Sequence, residues 1–294
     1  ADVVHLNQMA YAVQEFTAPV LVAVHSDVLS WFSETQGQDA PAEWERYAAW
    51  VRAGIAAADA VVTPTAYQSG LILRHYGRAA DRVIHNGAVP PEGGPRGEPQ
   101  VGPGFLVLSA GRAWDEAKGA RVLDAAAGIL GGVMGDAAPP VHLLGETVGP
   151  GVDRFEPRHL VAHGRVERAE VDAWLSRASV YAAPSLYEPF GLAPLEAAFH
   201  GCALVLSDIG SFRELWNGCA LFFPPGDAEA LAGALAELRD DPGRCAHLAH
   251  AARTRATRRY AAPRMAAAYL ALYRELVAGR PGAPLPPHRM VSVA

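Results

Sequence analysis

Two glutamates, Glu188 and Glu196, bracket the segment E-P-F-G-L-A-P-L-E. Ionised carboxylates accept hydrogen bonds from hydroxyls, so each end of the segment suits a polyol. Between them Gly191 frees the backbone for positive φ and close approach of a ligand. The pattern predicts a helix opening at 193–194, with Pro194 where a first-turn N–H is unpaired in any case. Glu196 then falls in the first helical turn and faces the same crevice as Glu188. A glycine loop feeding a helix start offers free amides and a partial positive charge to an anion. Phe190, Gly191, Leu192 and Ala193 supply that backbone. The ligand that matches has hydroxyls at both ends and phosphates between, as in a sugar joined through a diphosphate to a nucleoside.

A second cluster, S-A-G-R-A-W-D-E-A-K-G, spans 109–119. It follows an apolar run expected to be a strand and precedes a helical pattern, placing it at the carboxyl end of a sheet where α/β proteins bind ligands. Lys118 is the only lysine of the chain; its other Lys-or-Arg positions are arginine. A lone lysine at this place suits a compact point charge on phosphate, and Arg112 adds a planar, bidentate donor. The competing expectation is a surface pairing with Asp115 or Glu116, worth under about 1 kcal/mol.

These residues need strands and helices to position them, and the chain alternates the two almost throughout, the pattern of α/β layers with parallel sheets. Strands are expected at 3–5, 20–24, 60–63 and 82–84, with helices at 41–58 and 66–76. A proline- and glycine-rich stretch over 90–104 reads as a linker. Beyond it, strands are expected at 105–109, 141–144, 160–163, 180–184, 203–207 and 220–223. Helices are expected at 119–130, 168–177, 228–238, 243–259 and 263–278, and the proline-rich residues 280–294 read as a tail. The domains follow: 1–96 first, 97–260 second, and 261–279 a helix packing back on the first.

Composition narrows the class. Half of the 294 residues are hydrophobic, enough for two cores, and the net charge of −6 argues against a nucleic-acid surface. No apolar run is long enough to span a bilayer. Three cysteines without C-x-x-C spacing point away from a disulfide framework or structural zinc. Among eleven histidines no H-E-x-x-H occurs, and no D-x-D run marks a metal, so no metal site is expected. A cytoplasmic setting, extending to the membrane periphery, is the expectation.

The Glu188–Glu196 segment, with G-C-A-L-V-L-S-D and S-F-R-E-L-W after it, resembles the E-x7-E motif of retaining GT-B glycosyltransferases of family 4. The resemblance implies two facing Rossmann-like domains. It implies transfer of a hexosyl group from a nucleoside diphosphate sugar to a hydroxyl acceptor on a sugar, lipid or glycan, with no cofactor beyond that donor. By resemblance Glu188 supports the donor sugar, Glu196 holds the ribose, and Arg112 and Lys118 neutralise the departing diphosphate. His25, closing V-L-V-A-V-H-S, contacts the sugar. His5, on a neighbouring strand edge, lines the same cleft, and the backbone at Arg165 and Val166 meets the base. The family also carries about 60 to 100 residues ahead of the part matching Ala1, judged by domain size. Those residues include a glycine-rich phosphate loop. The first domain is therefore expected to be incomplete and prone to self-association at its open edge.

Two rival readings stand beside this one. A non-catalytic sugar-nucleotide binder, or a fragment, would keep the motifs without turnover. A dinucleotide-dependent oxidoreductase would share the layers, but no G-x-G-x-x-G follows an expected strand.

Overall fold

The computed structural model describes residues 1–91, 104–151 and 154–279. Most of the expected linker and all of the expected tail lie outside the described residues, as does the 96/97 boundary. The chain divides into two compact units. One comprises Ala1–Gly87 and the segment beginning at Ala262; the other is Ala88–Ala261. The division thus falls at Gly87–Ala88, ahead of the proline-rich stretch rather than within it.

The strands are β1 Val4–Leu6, β2 Val20–Ala23, β3 Ala60–Thr63, β4 Arg82–Val83, β5 Val107–Ala110, β6 Val141–Leu144, β7 Val161–Ala162, β8 Val180–Ala183, β9 Ala203–Ser207 and β10 Leu221–Phe223. The helices are α1 Val28–Thr35, α2 Glu45–Ala57, α3 Ala66–Tyr76, α4 Ala120–Met134, α5 Arg168–Leu175, α6 Leu192–His200, α7 Gly210–Trp216, α8 Ala228–Asp240, α9 Pro242–Arg259 and α10 Ala262–Ala278. Helices α1 and α7 are not among the sequence expectations. Both are short, and neither shows a long apolar period.

In the first unit a parallel sheet runs β1-β2-β3-β4. Its central strands β2 and β3 are buried throughout, as parallel strands covered on both sides must be. One face, with Val20, Val22, Val24 and Val61, packs on Val51 and Ile55 of α2 and Ile72 of α3. The other, with Leu21, Ala23, Ala60 and Val62, is covered by Leu272, Met265, Tyr269 and Tyr273 of α10. Asp27 fixes the turn after β2. Its buried carboxylate caps α1 through the Ser30 amide (2.9 Å) and also accepts from Gln68 Nε2 (3.0 Å) and Tyr76 Oη (2.8 Å).

The second unit holds a six-stranded parallel sheet in the order β10-β9-β8-β5-β6-β7. Helix α4 buries Leu123, Ala126, Ala127 and Leu130 at helical spacing against one face, with α8 beside it. Helices α6 and α7 cover the other face through Leu195, Phe199, Phe212 and Trp216. The strand order reverses between β5 and β8. The chain leaves β5 toward β6 and returns to its other side as β8, so the loops after these two strands part and leave a crevice.

Candidate functional site

Close backbone contacts join the loops around the β5–β8 crevice, and at Gly145 and Gly119 only glycine permits them. After β5, Gly111 N donates to Leu144 O (2.9 Å). Gly145, at φ +128, approaches so closely that a Cβ there would lie 1.9 Å from Gly111 O. Asp115 caps a single 3-10 turn, Glu116–Lys118, through the Ala117 amide (3.1 Å). Gly119 then turns left-handed, at φ +65, into α4. A Cβ on Gly119 would lie 2.0 Å from Pro184 O, in the loop after β8. The Leu186 amide closes the join on Ala117 O (2.8 Å). Tyr181, wholly buried in β8, donates its hydroxyl to Ala110 O and accepts from Ala110 N, both at 3.0 Å. Burial first, then the carboxylates of Glu188 and Glu196, push this phenol well above its ordinary pKa. It therefore stays a hydroxyl that pins the end of β5.

The loop after β8 is tied from the far side. The Ser207 hydroxyl donates to Ser185 O and the buried Ser211 hydroxyl to Glu188 O. Gly191 takes φ +85 and serves as the cap of α6. A Cβ there would meet Phe212 at 2.9 Å. Helix α6 begins at Leu192, one residue before the expected start. Its first-turn amides, Leu192 and Ala193, have no partner inside the helix and sit at its positive end.

Lys118 and Glu188 meet in this crevice, with Nζ 2.5 Å from Oε2 and both side chains largely shielded. Ser109, Gly111, Tyr181 and Ala193 share its lining. An ammonium, a carboxylate and a helix start thus lie in one concave place, the chemistry an anion bearing hydroxyls would meet.

The other expected residues divide. Arg112 is largely exposed and is not among the lining residues. It pairs with Asp115 at 2.7 Å, its guanidinium 5.3 Å from the centre of the Trp114 ring. Glu196 lies in the second turn of α6 rather than the first, because the helix starts at Leu192 and no acidic residue occupies its first turn. Its Oε1 accepts from Arg168 Nη1 at 2.6 Å, and Arg168 also pairs with Asp172 at 2.9 Å. The hydrogen bond to Glu196 is the main influence that raises the Arg168 pKa. Phe190 is 3% exposed and packs edge-on against Tyr260, so its side chain belongs to the core. Leu192 is exposed. Arg165 reaches Glu146 at 3.6 Å from an open surface, and Val166 packs on the core around α6.

The two histidines belong to the first unit. His25 stands just beyond β2, solvent-exposed, with Nε2 3.1 Å from Asn7 Oδ1. Protein packed around it still holds its imidazole pKa below the ordinary value. His5 corrects an expectation. It lies inside β1, opposite Leu21, rather than at the strand's edge. Its ring sits 5.1 Å from that of Tyr269, and Nδ1 is 2.6 Å from the Tyr273 hydroxyl. Helix α10 thus takes up His5 as a structural residue, a contact 268 positions away that no local pattern reveals.

Residues 104–241 match the family model described as Glycosyl transferases group 1. Over this stretch, a little under half of the chain, the sequence is similar to that family. A glycogen synthase from Mycobacterium tuberculosis is 43% identical over 96 residues, 32% of this chain and 23% of that protein. The match therefore spans under a quarter of that relative's length. Among solved structures, a sucrose-phosphate synthase from Thermosynechococcus elongatus superposes with a TM-score of 0.76 at 24% identity, over 95% of this chain and 74% of that one. HepE from Anabaena, solved in complex with UDP-glucose, gives 0.72 at 18% identity, over 93% and 79%. The fold is that of the GT-B glycosyltransferases. Among the described residues no helix is long and apolar enough to cross a membrane.

Proposed function

We propose that the chain transfers a hexosyl group, with retention, from a nucleoside diphosphate sugar to a hydroxyl acceptor. The observation that carries this reading is the meeting of Lys118, Glu188 and the α6 start in the β5–β8 crevice. When the bond from the anomeric carbon to the diphosphate breaks, the leaving oxygen keeps the electron pair. Positive charge develops on the sugar ring and negative charge on the phosphate. A cation and a carboxylate fixed side by side oppose both at once, and charges placed in advance are usually the largest catalytic contribution. An incoming diphosphate competes with Glu188 for the Lys118 ammonium, which frees the carboxylate to face the sugar. The acceptor oxygen bonds to the anomeric carbon on the face the diphosphate leaves, and its proton passes to the departing phosphate oxygen. The HepE complex with UDP-glucose supports a nucleotide sugar as donor here. Glu196, by the resemblance, accepts the ribose hydroxyls.

A thermal-shift screen of UDP, GDP, ADP and their sugars tests binding. A ligand at about 100 times its Kd adds about 2.7 kcal/mol of stability. In Glu196→Gln, affinity for the nucleoside diphosphate should fall roughly 10- to 100-fold, the worth of a charge-assisted hydrogen bond. Unchanged affinity in a folded variant would remove Glu196 from the site. Acceptor-dependent release of nucleoside diphosphate then separates a transferase from a mere binder.

A further inference from the structure

The Glu196 carboxylate is not held by its own helix. Its carboxylate takes the guanidinium of Arg168, the first residue of α5, at 2.6 Å. Arg168 is gripped in turn by Asp172, one turn further along α5, through Nη2 at 2.9 Å and Nε at 3.3 Å. From the other side the His200 imidazole Nδ1–H donates to Glu196 O at 2.8 Å, tying down the backbone of the same residue. Its Nε2 faces Asp172 Oδ1 at 3.6 Å. The guanidinium, with its planar fork of donors, therefore spans two carboxylates on two helices, and only one of them belongs to the motif that resembles a ribose-binding glutamate.

We propose that Arg168 is the positioning residue for Glu196 and sets how strongly the site discriminates a ribose from a sugar lacking hydroxyls. This rests on the reading of Glu196 given above. The physical case is a matter of freedom. A glutamate on a helix surface samples several rotamers, and each hydroxyl bond it makes must first overcome that entropy. With Oε1 committed to Arg168, the carboxylate plane is fixed before a ligand arrives and Oε2 is left to accept. Asp172 keeps the guanidinium from following the ligand or folding back to solvent. Arginine rather than lysine suits this place, because one rigid fork can serve two carboxylates while an ammonium has no preferred plane. An exposed ion pair with no further duty would add little to stability and nothing to selectivity.

The test compares UDP, GDP and ADP with their 2′,3′-dideoxy counterparts, by calorimetry, on wild type, Arg168→Ala, Arg168→Lys and Glu196→Gln. Wild type should favour the ribonucleotide that binds best by roughly 10- to 100-fold over its dideoxy form. In Arg168→Ala that preference should shrink to a few-fold while dideoxy affinity stays unchanged; Arg168→Lys should recover part of it. A purely structural role would weaken both ligands alike or neither. Full preference retained in a folded Arg168→Ala overturns the proposal. If Glu196→Gln leaves ribonucleotide affinity untouched, the ribose reading itself fails and takes the positioning role with it.

Discussion

The β5–β8 crevice of the second unit and the β1–β2 region of the first both carry charged or titratable groups, yet they are built differently. In the crevice, backbone locks backbone. Gly119 sits against Pro184 O, Gly145 against Gly111 O, and Leu186 bonds Ala117 O. Lys118 and Glu188 then meet on loops that have little room to move. In the first unit His25, exposed just beyond β2, has one side-chain hydrogen bond, to Asn7, while His5, inside β1, is committed to Tyr269 and Tyr273. Preorganisation is thus concentrated in one unit. A group held in advance contributes to a transition state without reordering at the moment of reaction.

The largest effect should come from setting the two regions against each other in turnover. Lys118→Ala should slow glycosyl transfer by about 10²–10³, the scale for losing one preorganised donor. Lys118→Arg should restore little, because a guanidinium is larger and planar where a point charge meets Glu188. His25→Ala should cost about tenfold or less, the worth of one ordinary hydrogen bond. Steady-state kinetics on the three variants checks this. A His25 loss equal to that of Lys118 would overturn the contrast and make the first unit an equal partner in the chemistry.

What the sequence discloses follows the same division. The Glu188–Glu196 segment and the Lys118 loop are legible because each is local. A glycine, a proline and a charge at fixed spacing between two strands already imply strand, loop and helix start. The edges of these elements shift by a residue or two, and that suffices to carry Glu196 into the second turn of α6. What holds the site together is not local. Tyr181 on Ala110, Ser211 on Glu188 O and Arg168 on Glu196 join residues 71, 23 and 28 positions apart. Tyrosine, serine and arginine occur too widely for their presence to announce such bonds. Arg112 shows the opposite failure. Its place on the Lys118 loop suggested diphosphate, while its side chain settles on Asp115, three residues on.

A smaller effect separates conformational strain from crowding. Gly119 and Gly77 share left-handed backbones, at φ +65 and +80, but a Cβ on Gly119 would strike Pro184 O whereas one on Gly77 meets nothing within 4 Å. Gly77→Ala, at the end of α3, should cost only the ~1–2 kcal/mol of left-handed alanine. Gly119→Ala should cost that and more, because two loops must part. It should lower the melting temperature by roughly 5–10 °C, at about 2–4 °C per kcal/mol. Nucleotide binding should weaken in Gly119→Ala alone. Calorimetric melting with a titration of the best-binding nucleoside diphosphate reads both. Equal losses at the two sites would show that the close contact at Pro184 O carries no weight.

The smallest effect concerns pH and the first unit. Burial of His5, and the protein packed around the exposed His25, hold both pKa values below the ordinary 6.5, and for His5 the charge on His25 adds to it. The unfolded chain therefore binds protons near pH 6.5 that the folded chain still refuses. Stability is full above that pH and falls as pH drops below it, since ∂ΔG/∂pH is positive wherever the unfolded state holds more protons. His142, whose pKa burial, His163 and Arg177 also lower, adds a similar slope from the second unit. The share of the first unit is isolated by His5→Gln/His25→Gln. Urea midpoints between pH 7.5 and 5.5 should decline less steeply in the double variant than in wild type, while its midpoint at pH 7.5 drops through loss of the His5–Tyr273 bond. Parallel pH slopes in the two proteins would mean that neither imidazole resists protonation in the fold.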